Sequence, residues 1–177
     1  MATHHSTPAA APARLPYFTL CEQSGRYQAR RTLTPEQIIR AAKAALSHQF
    51  TRKTVITSTE VVADYLTVHY STRPAETFVV LFLDNKHRLI SIEELFHGTI
   101  DSASVHPREL VRRCIELSAA AVILGHNHPS GITEPSVADL RITERIKATL
   151  DLMDIRVLDH LIVGGGKHCS LAARGLL

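Results

Sequence analysis

The chain is organised around residues 119–139, which read Ala119-Ala120-Ala121-Val122-Ile123-Leu124-Gly125-His126-Asn127-His128-Pro129-Ser130-Gly131-Ile132-Thr133-Glu134-Pro135-Ser136-Val137-Ala138-Asp139. The apolar residues at its start are typical of a buried strand. His126 and His128 would then lie on the same side of that strand, because side chains alternate along it. Ser136 and Asp139 have the spacing of a helix N-cap and its partner in the first turn, which predicts a helix from Ser136 to about residue 151.

Histidine, histidine and aspartate are the residue types of a catalytic zinc site. Such a site uses three protein ligands and leaves a fourth position open for water. We therefore predict that His126, His128 and Asp139 bind Zn²⁺. Two simpler explanations stay open at this point. A His-X-His pair also occurs by chance in loops, and Ser136 with Asp139 caps a helix without any metal.

The complete pattern, His-X-His-X7-Ser-X2-Asp, matches the signature of the JAMM (MPN-type) metalloproteases at every defined position. Further segments resemble the bacterial RadC-like branch of that superfamily, namely residues 80–88, 95–100, 105–109 and 156–160. The resemblance covers residues 54–177. It implies a deaminase-like three-layer α/β sandwich with a central mixed sheet, zinc as the cofactor, and hydrolysis of amide or isopeptide bonds.

The resemblance also implies the roles of two further residues. Zinc lowers the pKa of a bound water to about 7, and a general base must take the proton as the water attacks. In the family this base is a glutamate before the His-X-His element, and we match it to Glu76, which precedes the apolar run 78–84. Glu93 and Glu94 on the next predicted strand are the alternatives. Ser136 is implied as a donor to the developing oxyanion, beside its simpler role as a helix cap.

Length and composition favour one globular domain. The chain has 177 residues, of which 45% are hydrophobic and 21% charged. Its net charge of +3 is too small to indicate nucleic acid by itself. No apolar run is long enough to cross a bilayer, and residues 1–16 lack the layout of a secretory signal, so we expect a cytoplasmic protein. The three cysteines form no Cys-X-X-Cys pair, so neither a disulfide framework nor a zinc ribbon is indicated.

Composition divides the chain into three parts. Residues 1–16 are rich in Ala, Pro, Thr and His, which predicts a disordered tail. Residues 17–53 predict an extension with one helix, which begins at Thr34-Pro35 and has Ile38 and Ile39 on its apolar face. Residues 54–177 predict the RadC-like JAMM/MPN domain.

The domain is predicted to contain strands with helices between them, and this mixed order argues for a three-layer α/β fold. The triple glycine at 164–166 does not have the spacing of a phosphate-binding loop and therefore predicts a tight hairpin. The predicted strands lie at 78–84, 88–96, 155–163 and 168–172, in addition to the histidine strand. The predicted helices lie at 57–70, from Pro107, and from Ser136. The first has a capping box at its start and Val61 turned inward, the second has Ser118 on its inner face, and the third has Met153 turned inward.

Three functions remain open from the sequence. The favoured one is a zinc metallopeptidase or isopeptidase, whose substrate is a peptide or a protein such as a ubiquitin-like conjugate. The second is a metal-dependent nuclease or DNA-repair factor, because the RadC-like branch is associated with DNA repair. Longer members carry a helix-hairpin-helix module ahead of the metal domain, and the residues before 54 show no such glycine pattern. The third is a non-catalytic MPN scaffold, which the intact ligand set argues against.

Overall fold

The computed structural model describes residues 13–97 and 105–177. The predicted disordered tail therefore falls for the most part outside the described residues, and so does the end of the segment 95–100. The chain divides into two compact units, Met1–His48 and Gln49–Leu177. The predicted domain division after residue 53 stays a prediction.

The first unit contains a short antiparallel hairpin followed by a helix. Strands β1 (Phe18–Cys21) and β2 (Arg26–Ala29) pair with each other, and helix α1 follows at Pro35–Gln49. The helix begins where the sequence predicts, because Thr34 and Gln37 exchange side-chain-to-backbone hydrogen bonds as a capping box. Ile38 and Ile39 are 53% and 49% exposed, so the predicted apolar face is only partly buried.

The second unit is built on a mixed sheet, which has five strands within the described residues. The order is β4-β3-β5-β6-β7, with β5 and β6 parallel and every other neighbouring pair antiparallel. The strands are β3 (Thr77–Leu83), β4 (Leu89–His97), β5 (Ala121–Asn127), β6 (Arg156–Gly164) and β7 (Lys167–Ser170). The helices of this unit in the described residues are α2 (Thr59–Tyr70), α3 (Pro107–Leu117) and α4 (Val137–Asp151).

Helices cover both faces of this sheet, which makes the predicted three-layer α/β fold. Residues of β3 alternate between the two cores, as the pleat of a strand requires. Val79, Leu81 and Leu83 pack with α2 in one core. Phe78, Val80 and Phe82 pack with α3 and α4 in the other. Both central strands, β3 and β5, are buried along their whole length, which explains their uninterrupted apolar sequences.

Close packing of α2 against β5 depends on Gly125. A Cβ at this position would lie 2.5 Å from Cδ1 of Leu66, and Leu66 is itself completely enclosed in the core. The missing side chain therefore lets the helix approach the strand that carries His126.

Some predicted helix details are wrong. Helix α2 is capped at Ser58 without a side-chain hydrogen bond, not by a capping box from residue 57. Val61 is exposed because it lies beside the stripe of buried residues at 62, 63, 66 and 70. Ser118 is exposed and ends α3 in the left-handed conformation. Met153 is exposed because α4 has already ended. No helix in the described part of the chain is both long and apolar enough to cross a membrane.

Candidate metal centre

Strand β5 delivers the first histidine to the face covered by α3 and α4. His126 lies opposite Phe78 of β3, with the two rings stacked at a centroid separation of 6.2 Å. His128 follows the strand by one residue, and its backbone N–H continues the ladder to the carbonyl of Val163 on β6 at 2.9 Å. The two side chains are on the same side, as predicted, and the Nε2 atoms of His126 and His128 are 3.0 Å apart.

Helix α4 delivers the carboxylate. Ser136 is the N-cap, and it forms a complete capping box with Asp139. Ser136 Oγ accepts from the Asp139 N–H at 3.1 Å and donates its own proton to Asp139 Oδ2 at 2.7 Å. Asp139 Oδ2 also accepts from the Ser136 N–H at 2.8 Å. These bonds fix the carboxylate in the first turn, where the positive end of the helix dipole favours a negative charge.

The three predicted ligands converge. His126 Nε2 is 3.2 Å from Asp139 Oδ1, and His128 Nε2 is 3.4 Å from Asp139 Oδ2. One ligand atom from each residue can be chosen so that all lie within 4.8 Å of one another. Both His126 and Asp139 are 1% exposed, while His128 is only partly buried. The group is therefore enclosed except on the side of His128.

The hydrogen bonds around this cluster leave acceptor atoms that a cation could bind. His128 Nδ1 is 2.7 Å from the carbonyl oxygen of Ile132, which can only accept, so Nδ1 carries a proton and the neutral ring presents a lone pair at Nε2. Asp139 Oδ1 is buried and has no hydrogen-bond donor. Acceptor atoms that face one another without a donor are unfavourable in a buried site. A divalent ion among the two imidazoles and the carboxylate removes that conflict, so the residues fit a metal.

The pKa values of Asp139 and His128 are shifted by the charges of this cluster. Burial disfavours the charged carboxylate of Asp139, but its contacts with His126 and His128 outweigh burial and hold its pKa well below the usual range. Once protonated, the His128 ring can donate to Asp139, which is the main cause that raises the pKa of His128, and the charge of Glu76 adds to it. A positive charge at the open side of the cluster is therefore stabilised by both carboxylates.

The loop between the ligands packs against the glycine hairpin that joins β6 and β7. A Cβ on Gly164 would lie 3.0 Å from the carbonyl oxygen of His128 and 3.1 Å from Cα of Gly131. Only glycine allows this approach of two backbones, and the predicted tight hairpin is confirmed. Farther along the loop, Glu134 pairs with both terminal nitrogens of Arg174 at 2.8 and 2.9 Å.

Glu76 lies one residue before β3, and its charge acts on His128. Asn127 holds the backbone on both sides of Glu76: Asn127 Oδ1 accepts from the Thr77 N–H at 2.8 Å, and Asn127 Nδ2 donates to the carbonyl of Ala75 at 3.2 Å. Asn127 points to the opposite face from the histidines and is completely buried. The same strand therefore supplies a candidate ligand and the residue that fixes Glu76.

The two alternative bases are engaged elsewhere. Glu93 forms an ion pair with Arg113 of α3 and accepts from Ser91. Glu94 pairs with Arg73 at 2.7 and 2.8 Å and accepts from Tyr70 Oη at 3.0 Å. Both residues lie on β4, which β3 separates from the histidine strand. Glu76 precedes β3, which pairs directly with the histidine strand, and its catalytic role stays a prediction.

A model of one protein family, described as the RadC-like JAB domain, matches residues 56–176. The chain belongs to the RadC-like JAB-domain family. The resemblance inferred from the sequence is thereby confirmed, and the mixed five-stranded sheet with helices on both faces is the fold expected of a JAB/MPN domain.

Bacterial relatives of this RadC-like chain are named only as UPF0758 proteins. The chain is 53% identical to one from Marinomonas sp. (strain MWYL1) over 142 residues, which are 80% of this chain and 63% of that protein. It is 49% identical to one from Methylibium petroleiphilum over 140 residues, 79% and 63% of the two chains. It is 56% identical to one from Nitrosococcus oceani over 126 residues, 71% and 56%. The aligned part thus spans less than two thirds of each relative.

Sequence reasoning missed part of the surroundings of His126. Thr143, one turn after Asp139 on α4, is buried and contacts the Nδ1 atom of His160 at 2.6 Å. His160 in turn contacts His126, with 2.8 Å between Nε2 of His160 and Nδ1 of His126. Asp159, the residue before His160, accepts hydrogen bonds from Ser170 and Ala172.

Proposed function

We propose that this RadC-like chain is a zinc-dependent hydrolase, and that it is a metallopeptidase or isopeptidase acting on a peptide or protein substrate. The observation that carries the proposal is the convergence of the ligand atoms of His126, His128 and Asp139, where the buried Asp139 Oδ1 has no hydrogen-bond partner. Two histidines and one carboxylate with an open position form the ligand set of catalytic zinc sites, whereas closed structural sites use four protein ligands. Zinc is the preferred ion because the ligand types suit it and the family resemblance implies it.

When bound, the ion would lower the pKa of a water molecule toward about 7 and polarise a carbonyl. The chain's own residues supply the rest of the chemistry. Glu76 would accept the proton of the attacking water and return it to the leaving amine, as general acid–base catalysis requires. Its placement beside the open side of the cluster supports this role, because its charge acts on His128.

Ser136 would play two parts in the proposed reaction. Its hydroxyl proton is directed at Asp139 Oδ2, so it orients the carboxylate in the described state. Donation to the developing oxyanion would require that proton to turn toward the substrate. Ser136→Ala separates the two parts, since loss of the cap alone lowers stability by about 1 kcal/mol and keeps turnover.

The test uses purified chain loaded with zinc, a panel of peptides, and substrates with an amide on a lysine side chain. Hydrolysis should appear with zinc, disappear after chelation and return when zinc is restored. Glu76→Gln should abolish turnover and keep the bound ion. Glu93→Gln, a matched change of a carboxylate paired away from the site, should leave turnover intact. Metal-dependent cleavage of DNA with no cleavage of any amide would replace the proposal with the nuclease alternative.

A further inference from the structure

Three polar side chains, those of His126, His160 and Thr143, form a hydrogen-bonded series that leads from the candidate ligand His126 into the apolar core. It runs from His126 Nδ1 to His160 Nε2 at 2.8 Å, and from His160 Nδ1 to Thr143 Oγ1 at 2.6 Å. It ends where Thr143 Oγ1 meets the backbone carbonyl of Asp139 at 2.5 Å. All these side chains are 1% exposed or less, so water does not compete for their protons.

The backbone carbonyl of Asp139, at the end of this series of hydrogen bonds, fixes the direction of each of them. A carbonyl oxygen can only accept, so the single hydroxyl proton of Thr143 goes to Asp139. Thr143 Oγ1 must then accept from His160, which places the proton of His160 on Nδ1. No carboxylate bonds to this ring in the described residues, and an unpaired charge in a fully buried ring is costly. A neutral His160 therefore presents a lone pair at Nε2.

We propose that Thr143 and His160 are positioning residues that keep the proton of His126 on Nδ1, so that Nε2 of His126 stays free to bind a metal ion. With the lone pair of His160 Nε2 facing it, His126 Nδ1 is the donor, which leaves Nε2, on the side of Asp139 and His128, as the ring nitrogen that can bind a cation. The inference rests on the proposed metal function for its purpose, but the proton order is a property of the metal-free chain. A ligand histidine held by a partner at its second ring nitrogen is a general requirement of metal sites.

Thr143 also couples the two elements that carry ligands. It lies one turn after Asp139, and its hydroxyl touches both the backbone of that ligand and the ring behind His126. A change at Thr143 therefore reaches two of the three candidate ligands without removing either. If the hydroxyl is lost, His160 has no acceptor at Nδ1. Its proton then moves to Nε2, and His126 must carry its own proton at the metal position.

The experiment combines nitrogen-detected NMR of the histidine tautomers in metal-free protein with zinc affinity measured by chelator competition. The wild type should show protons on Nδ1 of both His126 and His160. Thr143→Val should move the proton of His126 to Nε2 and weaken zinc binding by about 10- to 100-fold. Thr143→Ser, which keeps the hydroxyl, should retain the wild-type tautomer and an affinity close to wild type.

Thr149→Val is the matched control, because Thr149 makes the same hydrogen bond to a carbonyl four residues back on α4, to Arg145 at 2.7 Å. It should change neither tautomer nor affinity. A wild-type His126 with its proton on Nε2 overturns the inference without any variant, and so does a folded Thr143→Val protein with unchanged affinity. A chain with the expected tautomers that hydrolyses no amide would refute the proposed function and leave this inference intact.

Discussion

Replacement of Asn127 by alanine tests whether this residue supports the candidate base Glu76 without supporting the candidate metal ligands. The side-chain amide makes one bond to the Thr77 N–H at 2.8 Å and longer ones to the carbonyls of Ala75 and Arg73 at 3.2 and 3.4 Å. Thr77 is 2% exposed, so water cannot replace the lost acceptor. A buried donor left without an acceptor costs about 1–3 kcal/mol, and the two weaker bonds add about 1 kcal/mol together.

We therefore expect Asn127→Ala to lower the free energy of unfolding by about 2–4 kcal/mol, measured by urea denaturation. Asn85→Ala is the control, because it makes the same chemical change at an exposed turn residue; it should have an effect within about 0.5 kcal/mol. Zinc stoichiometry should be unchanged, since no predicted ligand bonds to Asn127.

Turnover of any amide substrate by Asn127→Ala should fall on the order of 100-fold, because the backbone on both sides of Glu76 loses its anchor and a small misplacement of a catalytic group is expensive. A variant that keeps turnover, or that loses zinc together with stability, would refute this reasoning. The first result would mean that Glu76 needs no support, and the second that Asn127 supports the ligands.

Two further predictions concern packing and charge in the fold. Gly125→Ala should lower the free energy of unfolding by about 1–3 kcal/mol through overpacking against Leu66. In a double-mutant cycle, Gly125→Ala should cost less when Leu66 is already alanine. Strictly additive effects of the two changes would show that the destabilisation has another cause. The hydrogen bond from Arg113 is the main cause that lowers the pKa of Glu93. Folding therefore favours the ionised form of Glu93. The stabilisation of the fold by this pair is fully present above the unfolded pKa of about 4.3, and it is lost as the pH falls through the lower pKa of the folded state. Glu93→Gln should therefore cost up to about 1 kcal/mol at neutral pH and nothing in strong acid; urea denaturation at several pH values tests this, and a pH-independent difference would contradict it.

The placement of the candidate ligands was predictable because its signals are local in sequence. The period-two spacing of His126 and His128 places both on one side of a strand, and the capping pattern of Ser136 and Asp139 fixes a helix start. Turn chemistry likewise predicted the glycine hairpin at Gly164. These features depend on neighbouring residues alone, so no tertiary information is needed to find them.

The surroundings of the centre were not predictable, because they depend on which elements become neighbours. Thr143 reads as an ordinary helix residue until β6 places His160 against it. The role of Asn127 depends on antiparallel pairing of β3 with β5, which brings Thr77 within reach. Burial of Val61 was wrongly predicted because the face that α2 packs against the sheet runs through residues 62, 63, 66 and 70, which leaves Val61 at its edge.

Elemental analysis of purified wild type beside Asp139→Asn tests the central claim most directly. The asparagine keeps an oxygen that can accept in the capping box but removes the charge that binds a divalent ion. We predict one zinc ion per chain in the wild type, lost in the variant at equal helix content. A wild-type chain that binds no metal in zinc excess, or a variant that keeps the ion, would contradict the account.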